Sequence, residues 1–409
     1  MTRQRHFFLI LLLGTLSTLG PFSIDMYLPG FPAIAQDLHT TTAEVSLSLS
    51  SFFVGISAGQ LLYGPLLDRF GRKKPLYVGL TLYILASIGC LLAKSIDALI
   101  ILRFVQAIGS CAAAVASVTM VRDLFPAKDS ARVFALLLLV VGASPMIAPT
   151  VGGYVTAAFG WQGVFIILAA IAVLILLAVI ISLPETYKPN PAFSLKPKPI
   201  IKNFLSVIVD PQFYTYAVAG AFAFSGLFAY VSGSPLVFMD VFHVDGKVYG
   251  WIFAILSIGF IGSSQVNNLL LKRFQSEQVV PVAIVAQVLL ASLFFIGASL
   301  GWFELYGTIV MIFLFLCCVG LINPNAAALS LAPFSKNAGT ASSLMGAMQL
   351  GIGALASVGV SMFSSHSSMP MAAIMAATSV IALLVLFIGR RFIKQPIKVD
   401  PSSDVILAH

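Results

Sequence analysis

Charge is what this chain has least of. Asp, Glu, Lys and Arg make up 9% of its 409 residues, against 59% hydrophobic, and the mean hydropathy is +1.00. A water-soluble chain of this length has too little interior to hide so much apolar surface, so the class is polytopic membrane protein. The net charge of +8 does not point to nucleic acid, because the cations are dispersed over short loops instead of gathered on one face. Cysteine is scarce as well. Cys90, Cys111, Cys317 and Cys318 all sit in apolar runs without metal-site spacing, which excludes a disulfide framework and leaves them as small packing residues. The five histidines (His6, His39, His243, His366, His409) fall at span ends, loops or termini, with no pair at helical spacing to hold a metal. H-E-x-x-H is missing. Gly351-Ile-Gly353-Ala-Leu-Ala356 mimics a dinucleotide loop but lies mid-run with no strand before it. The chain therefore reads as no enzyme, with no metal and no cofactor.

Long apolar runs are what it has in abundance. Twelve can each cross about 30 Å of hydrocarbon: residues 7–32, 42–66, 75–93, 97–121, 130–157 and 161–183, then 212–238, 247–271, 279–299, 303–327, 338–364 and 369–393. The first runs on to about Leu28, longer than the apolar region of a signal peptide, and reads as a spanning helix. With the N-terminus set on the cytoplasmic side, twenty of the 23 cations fall on that side. Only Lys94 and Lys247 fall on the other, and Arg103 lies within a span. A wrong helix count would scramble this asymmetry, so the split predicts twelve spans with both termini inside. The expected fold class is all-α membrane, with a six-helix unit over 1–188, a cytoplasmic linker over 189–211 and a second six-helix unit over 212–409. The prolines at 189, 191, 197 and 199 predict an extended, semi-rigid linker. A shift of 204 residues lays Leu67-Asp68-Arg69-Phe70 over Leu271-Lys272-Arg273-Phe274, Gly55 over Gly259 and Gly142 over Gly346, as expected of a duplicated unit.

The densest polar stretch is Gly64-Pro-Leu-Leu-Asp68-Arg69-Phe-Gly71-Arg72-Lys73-Lys74. Glycines and a proline between apolar flanks predict a tight turn joining two membrane helices, with the cations facing the cytoplasm. A plain positive-inside anchor accounts for the cations but not for Asp68 or the placed glycines. Only Asp25 and Arg103 are charged and clearly inside spans. At about 2.5–3.5 kcal/mol of insertion cost each, such residues are functional candidates. Asp25 falls about 15 Å and Arg103 about 9 Å from the outer end at 1.5 Å per residue, so an ion pair between them is geometrically possible. A carboxylate in a lined cavity is a natural proton carrier.

The pattern G-x-x-x-D-R-x-G-R-K resembles the loop between helices two and three of the major facilitator superfamily, and implies a gate motif of Gly64, Asp68, Arg69, Gly71, Arg72 and Lys73. Leu99-x-x-x-Arg103-Phe-Val-Gln106-Ala107-Ile-Gly109 resembles the family's second motif, whose arginine is linked to proton transfer. Ala107 stands there where glycine is usual. Gly142-Ala-Ser144-Pro145-Met-Ile-Ala148-Pro149-Thr-Val-Gly152-Gly153 resembles its antiporter motif, with Ser144 and Ala148 in place of glycines. Asp25-Met-Tyr-Leu-Pro29-Gly-Phe-Pro32, Pro184-Glu185-Thr186 and Asn323-Pro-Asn325 narrow the resemblance to the bicyclomycin-resistance (Bcr/CflA) branch of drug:proton antiporters. The resemblance implies two pseudo-symmetric six-helix bundles in a bacterial cytoplasmic (inner) membrane. It also implies export of small, largely apolar drugs against protons by a monomer that needs no cofactor beyond the proton gradient and binds no nucleic acid. Asp25 and Arg103 would couple the proton, and Phe22, Met26, Tyr27, Phe52, Phe228 and Tyr230 are candidates for the drug wall. An exporter of an amino acid or other small metabolite by the same mechanism is the alternative. Asp68 is expected to close the cytoplasmic side against a helix N-terminus or an arginine of the facing half.

Overall fold

The computed structural model of the chain describes residues 3–125, 127–189, 197–334, 338–363, 367–394 and 397. The first two residues, most of the linker before 197, the tail beyond 397, His366, His409, Lys196, Lys336 and Lys398 lie outside it. So do the side chains of Arg3, Arg5, His6, Lys128, Arg132 and Lys198.

The described residues form helices and no strand. They are α1 (Arg3–Asp25), α2 (Phe31–Asp37), α3 (Thr42–Phe70), α4 (Lys73–Leu91), α5 (Ile96–Leu124), α6 (Ala127–Phe159) and α7 (Gln162–Ser182), then α8 (Pro197–Ile208), α9 (Pro211–Pro235), α10 (Gly246–Leu270), α11 (Ser276–Ser299), α12 (Leu305–Leu331), α13 (Ala338–Ser361) and α14 (Met369–Arg390). Twelve spans are long and apolar enough to cross a membrane. Side-chain caps fix several starts: Thr41 accepts from the Glu44 amide, Ser95 from that of Ala98, Asp210 from that of Phe213 and Asp245 from that of Lys247.

The first crossing is a broken helix. α1 stops at Asp25, a single 3-10 turn spans Leu28–Gly30, and α2 resumes the path. Pro29 has no N–H for the Asp25 carbonyl four residues back, and Pro32 has none for Leu28, so the ladder fails where these prolines fall. The linker differs from expectation. Residues 197–208 are helical, because both prolines there fall in the first turn, where a backbone N–H has no intrahelical partner to lose.

α1–α7 and α9–α14 make the two bundles, which meet along two seams, α3 against α13 and α6 against α10. We call the end that carries Arg69 to Lys74 the basic end. Away from it the seams are tight. Ser46 and Ser361 pair at 3.0 Å, Ser50 and Ser357 at 2.6 Å, and Ser57 donates to the Ala347 carbonyl at 2.8 Å. On the other seam a side chain at Gly153 would crowd the Gly246 carbonyl at 2.5 Å. Toward the basic end the α6–α10 seam loosens, and the nearest atom to a side chain at Gly142 would be Ile261 at 4.0 Å. There the bundles part around a cleft of about 390 Å³, between Gly64, Pro65 and Asp68 on one side and Gly339, Thr340 and Ser343 on the other.

Candidate functional site

Arg103 is fully buried inside the first bundle. Its guanidinium donates to Gln106 Oε1 at 2.6 Å and to the Ser23 carbonyl at 2.9 Å. The Phe52 ring lies 4.2 Å and the Tyr27 ring 4.5 Å away, with Phe165 at 5.9 Å. Polar groups continue outward. Gln106 donates to Ser87 Oγ at 2.7 Å, Ser87 to the Tyr83 carbonyl at 2.7 Å, and Tyr83 and Ser23 share a hydroxyl bond at 2.6 Å. The Ser23 carbonyl belongs to the last turn of α1, where the break removes its usual donor. Arg103 supplies one instead, so this cation braces the broken helix.

Asp25 is not its partner. The ion pair that the sequence allowed does not form among the described residues, for a geometric reason. Ser23 faces α5, and Asp25, two residues on, is turned about 200° around the helix. Its carboxyl, 6% exposed, makes no hydrogen bond or ion pair among the described residues. It lies within electrostatic reach of Tyr230 and Tyr249, both on the other bundle. Tyr249 is tied to Ser234 at 2.8 Å, while the buried Tyr230 hydroxyl has no partner and its ring stacks on Phe253 at 5.3 Å. Asp25 thus sits where three things coincide: the helix break, the contact between bundles and a free hydroxyl.

Of the antiporter-motif residues, Pro145, Pro149 and Gly153 lie along the α6–α10 seam, while Gly152 turns into its own bundle. A side chain at Gly152 would overlap the Met26 carbonyl at the helix break, so α6 presses on the residue beside Asp25. The Pro149 carbonyl and Thr150 backbone face Gly250, and the Pro145 carbonyl faces Ser257. Of the expected wall residues, Tyr27 and Phe52 are committed to Arg103, Met26 is buried at the break and Phe22 is half-buried. Phe228 does bridge the bundles, with its ring 4.6 Å from Phe53 and 5.4 Å from Phe224.

At the basic end, Gly71 adopts a φ of 82° and its Cα faces the Glu185 carboxylate, a position that only glycine fills without strain. That carboxylate accepts from the amides of Arg72 at 2.8 Å and Lys73 at 3.1 Å, the open N-terminus of α4. The Arg72 guanidinium joins Asp68 at 2.9 Å and Asp123 at 2.8 Å, and lies 4.3 Å from the Tyr187 ring. Burial works to lower its pKa, yet the two carboxylates outweigh burial and hold it above the ordinary arginine value. Arg69 and Lys73 lie nearer aromatic rings, Phe70 and Tyr77. Asp68, 42% exposed at its side chain, is therefore held by its own bundle and lines the cleft facing the start of α13. The arginine it meets is not on the facing half. Asp123, Tyr187 and Tyr249 were missed in the sequence. Counting cations ignores carboxylates, and nothing in spacing says which tyrosine meets an acid.

Two six-helix bundles that touch at one end and part at the other, with a broken helix at their junction, define a secondary membrane transporter. The family model described as Major Facilitator Superfamily matches residues 12–358, and the chain belongs to that superfamily. The chain is 31% identical to a bicyclomycin resistance protein homolog of Haemophilus influenzae, over 95% of this chain and 97% of the relative. It is 30% identical to the multidrug resistance protein MdtL of Escherichia coli O139:H28, over 81% and 83%. These likenesses set it in the Bcr/CflA-like branch. Among solved structures, an inward-facing bacterial homolog of the human lysosomal transporter Spinster superposes with a TM-score of 0.72 at 16% identity, covering 96% of this chain and 97% of the other.

Proposed function

We propose that this transporter is a drug:proton antiporter that exports small, largely apolar drugs across the cytoplasmic membrane by alternating access. The observation that carries the reading is Asp25, the only buried carboxylate among the described residues, unpartnered and set at the contact between bundles. A group with no fixed counter-ion is free to exchange a proton as its surroundings alternate, which a locked ion pair is not. With the basic end in the cytoplasm, the cleft is the inward opening and the serine-paired seam is the closed outer gate. The aromatic rings of Phe53, Phe228 and Phe224, which cross between bundles, suit an apolar solute better than a sugar or an ionic one. The names of the relatives, bicyclomycin resistance and multidrug resistance, agree with a drug cargo. The protein works as a monomer with the proton gradient as its energy source.

The test is uptake of a neutral drug into inverted membrane vesicles under an imposed pH gradient. The native protein should accumulate drug when the gradient is present and lose it when an uncoupler collapses the gradient. Asp25→Asn mimics the protonated form and should abolish gradient-driven uptake while leaving drug binding measurable. Full gradient-driven uptake by Asp25→Asn would remove Asp25 from the mechanism, and uptake indifferent to the uncoupler would end the proton reading.

A further inference from the structure

α8 presents three faces, and only two are accounted for among the described residues. Val207 is fully buried in a small cluster with Phe213, Ala327 and Met345 of the second bundle. Asn203 and Phe204 line the mouth of the cleft. The third face carries Ile201, Leu205, Ile208 and Val209, which fall on one helical stripe and are 53%, 54%, 36% and 68% exposed. No described residue buries them. The stripe ends two residues before α9 starts its crossing at Pro211, which sets it where that helix leaves the basic end. Its charge has one sign. Lys202 is exposed beside the stripe, Lys198 precedes it by one turn in the sequence, and no carboxylate occurs from 187 to 209. An apolar stripe edged by Lys202, at the level where a membrane helix emerges, fits an acidic bilayer surface.

We infer that α8 is seated in the leaflet at the basic end, with the Ile201–Leu205–Ile208–Val209 stripe in the acyl boundary and Lys202 on anionic headgroup phosphates. This holds whatever the cargo and whether or not protons drive it. Because the same helix supplies Asn203 and Phe204 to the cleft, the lipid surface holds one wall of the cleft mouth at a fixed height.

Full-length protein with its four cysteines replaced takes a single new cysteine at Leu205 or, as a water-facing control, at Ser206. Each carries an environment-sensitive fluorophore in nanodiscs of phosphatidylcholine, alone or mixed with phosphatidylglycerol. The label at 205 should be quenched by lipid bearing a shallow nitroxide and shielded from aqueous iodide, and the label at 206 should behave the opposite way. Phosphatidylglycerol should raise the docked-to-undocked ratio by about fivefold per lysine. Lys198→Gln with Lys202→Gln should erase that gain while the shallow quenching at 205 persists in part. Equal iodide quenching at 205 and 206 would overturn the docking. Shielding from iodide without nitroxide quenching would also overturn it, since protein such as a second copy would then cover the stripe. A ratio indifferent to phosphatidylglycerol would overturn the anionic recognition.

Discussion

The Arg103 guanidinium lies 2.9 Å from the carbonyl of Ser23 and makes no ion pair with Asp25, two residues further on. Among the described residues the most deeply buried cation therefore holds the shape of the first helix, and Asp25 is left without an ion pair.

Arg103→Ala should destabilise the protein by about 2–4 kcal/mol. It orphans the Ser23 carbonyl and Gln106 Oε1 at about 1–3 kcal/mol each and removes a desolvated cation–π contact worth about 2 kcal/mol, offset in part by no longer burying a charge. Arg103→Lys keeps the charge but lacks the fork that reaches both acceptors, and should fall between. Thermal melting of the purified protein, read by unmasking of its buried cysteines, checks the order. An alanine variant as stable as the native protein would contradict the brace.

The antiporter-motif glycines differ in how much they tolerate. Gly152→Ala drives a methyl into the Met26 carbonyl and should cost about 1–3 kcal/mol, with transport impaired. Gly142→Ala has room and should leave both melting and transport near native. Comparable losses in the two variants would mean that close approach is not what the motif secures.

Much of this was legible in the sequence. The twelve crossings could be counted because length and hydropathy suffice when hydrocarbon is the solvent. Asp25 stood out because a lone acid in an apolar run is costly. What the sequence hid was direction. Ser23 bonds within its own bundle while Asp25, two residues on, makes no such bond and lies within electrostatic reach of the other, and Tyr27 and Phe52 read as cavity wall until Arg103 is seen between their rings. The α8 helix was hidden by its own prolines, which signal extended chain except in a first turn, where they start a helix. The partners of Arg72 were hidden because Asp123 and Glu185 reach it from 51 and 113 residues away.

Cysteines at Ser50 and Ser357, whose hydroxyls now lie 2.6 Å apart, should cross-link under mild oxidation and stop transport, with activity returning on reduction. Such a bond fastens the closed seam while leaving the cleft open. Undiminished transport by the oxidised protein would mean that this seam does not open in the cycle.

Asp68→Asn should release Arg72 from one of its two carboxylates and deprive the start of α13 of an anion. The helix terminus favours such a charge by about 0.3–1 kcal/mol. Distances between spin labels across the basic ends of the bundles should lengthen on average, and export should slow. Unchanged distances would sink the gate role. The Arg72 network itself should not weaken at moderately alkaline pH. A cation whose folded pKa is raised contributes fully below its unfolded value, and loses that contribution only as pH climbs through the folded one.

A cysteine at Ser206 on α8 should escape an impermeant maleimide in intact cells and react once the cells are opened, while one at Lys94 should react in both. The reverse pattern would invert the topology expected from the cation count.

The serine pairs that close the seam carry a further consequence. They are neutral, and Arg103 stays within one bundle, so among the described residues Asp25 is the one charge buried where the halves separate. An elementary charge moved through a full 100 mV is worth about 2.3 kcal/mol. At the contact between the bundles, among the described residues, a voltage would therefore act on a single carboxylate, and would do so there only while Asp25 is ionised.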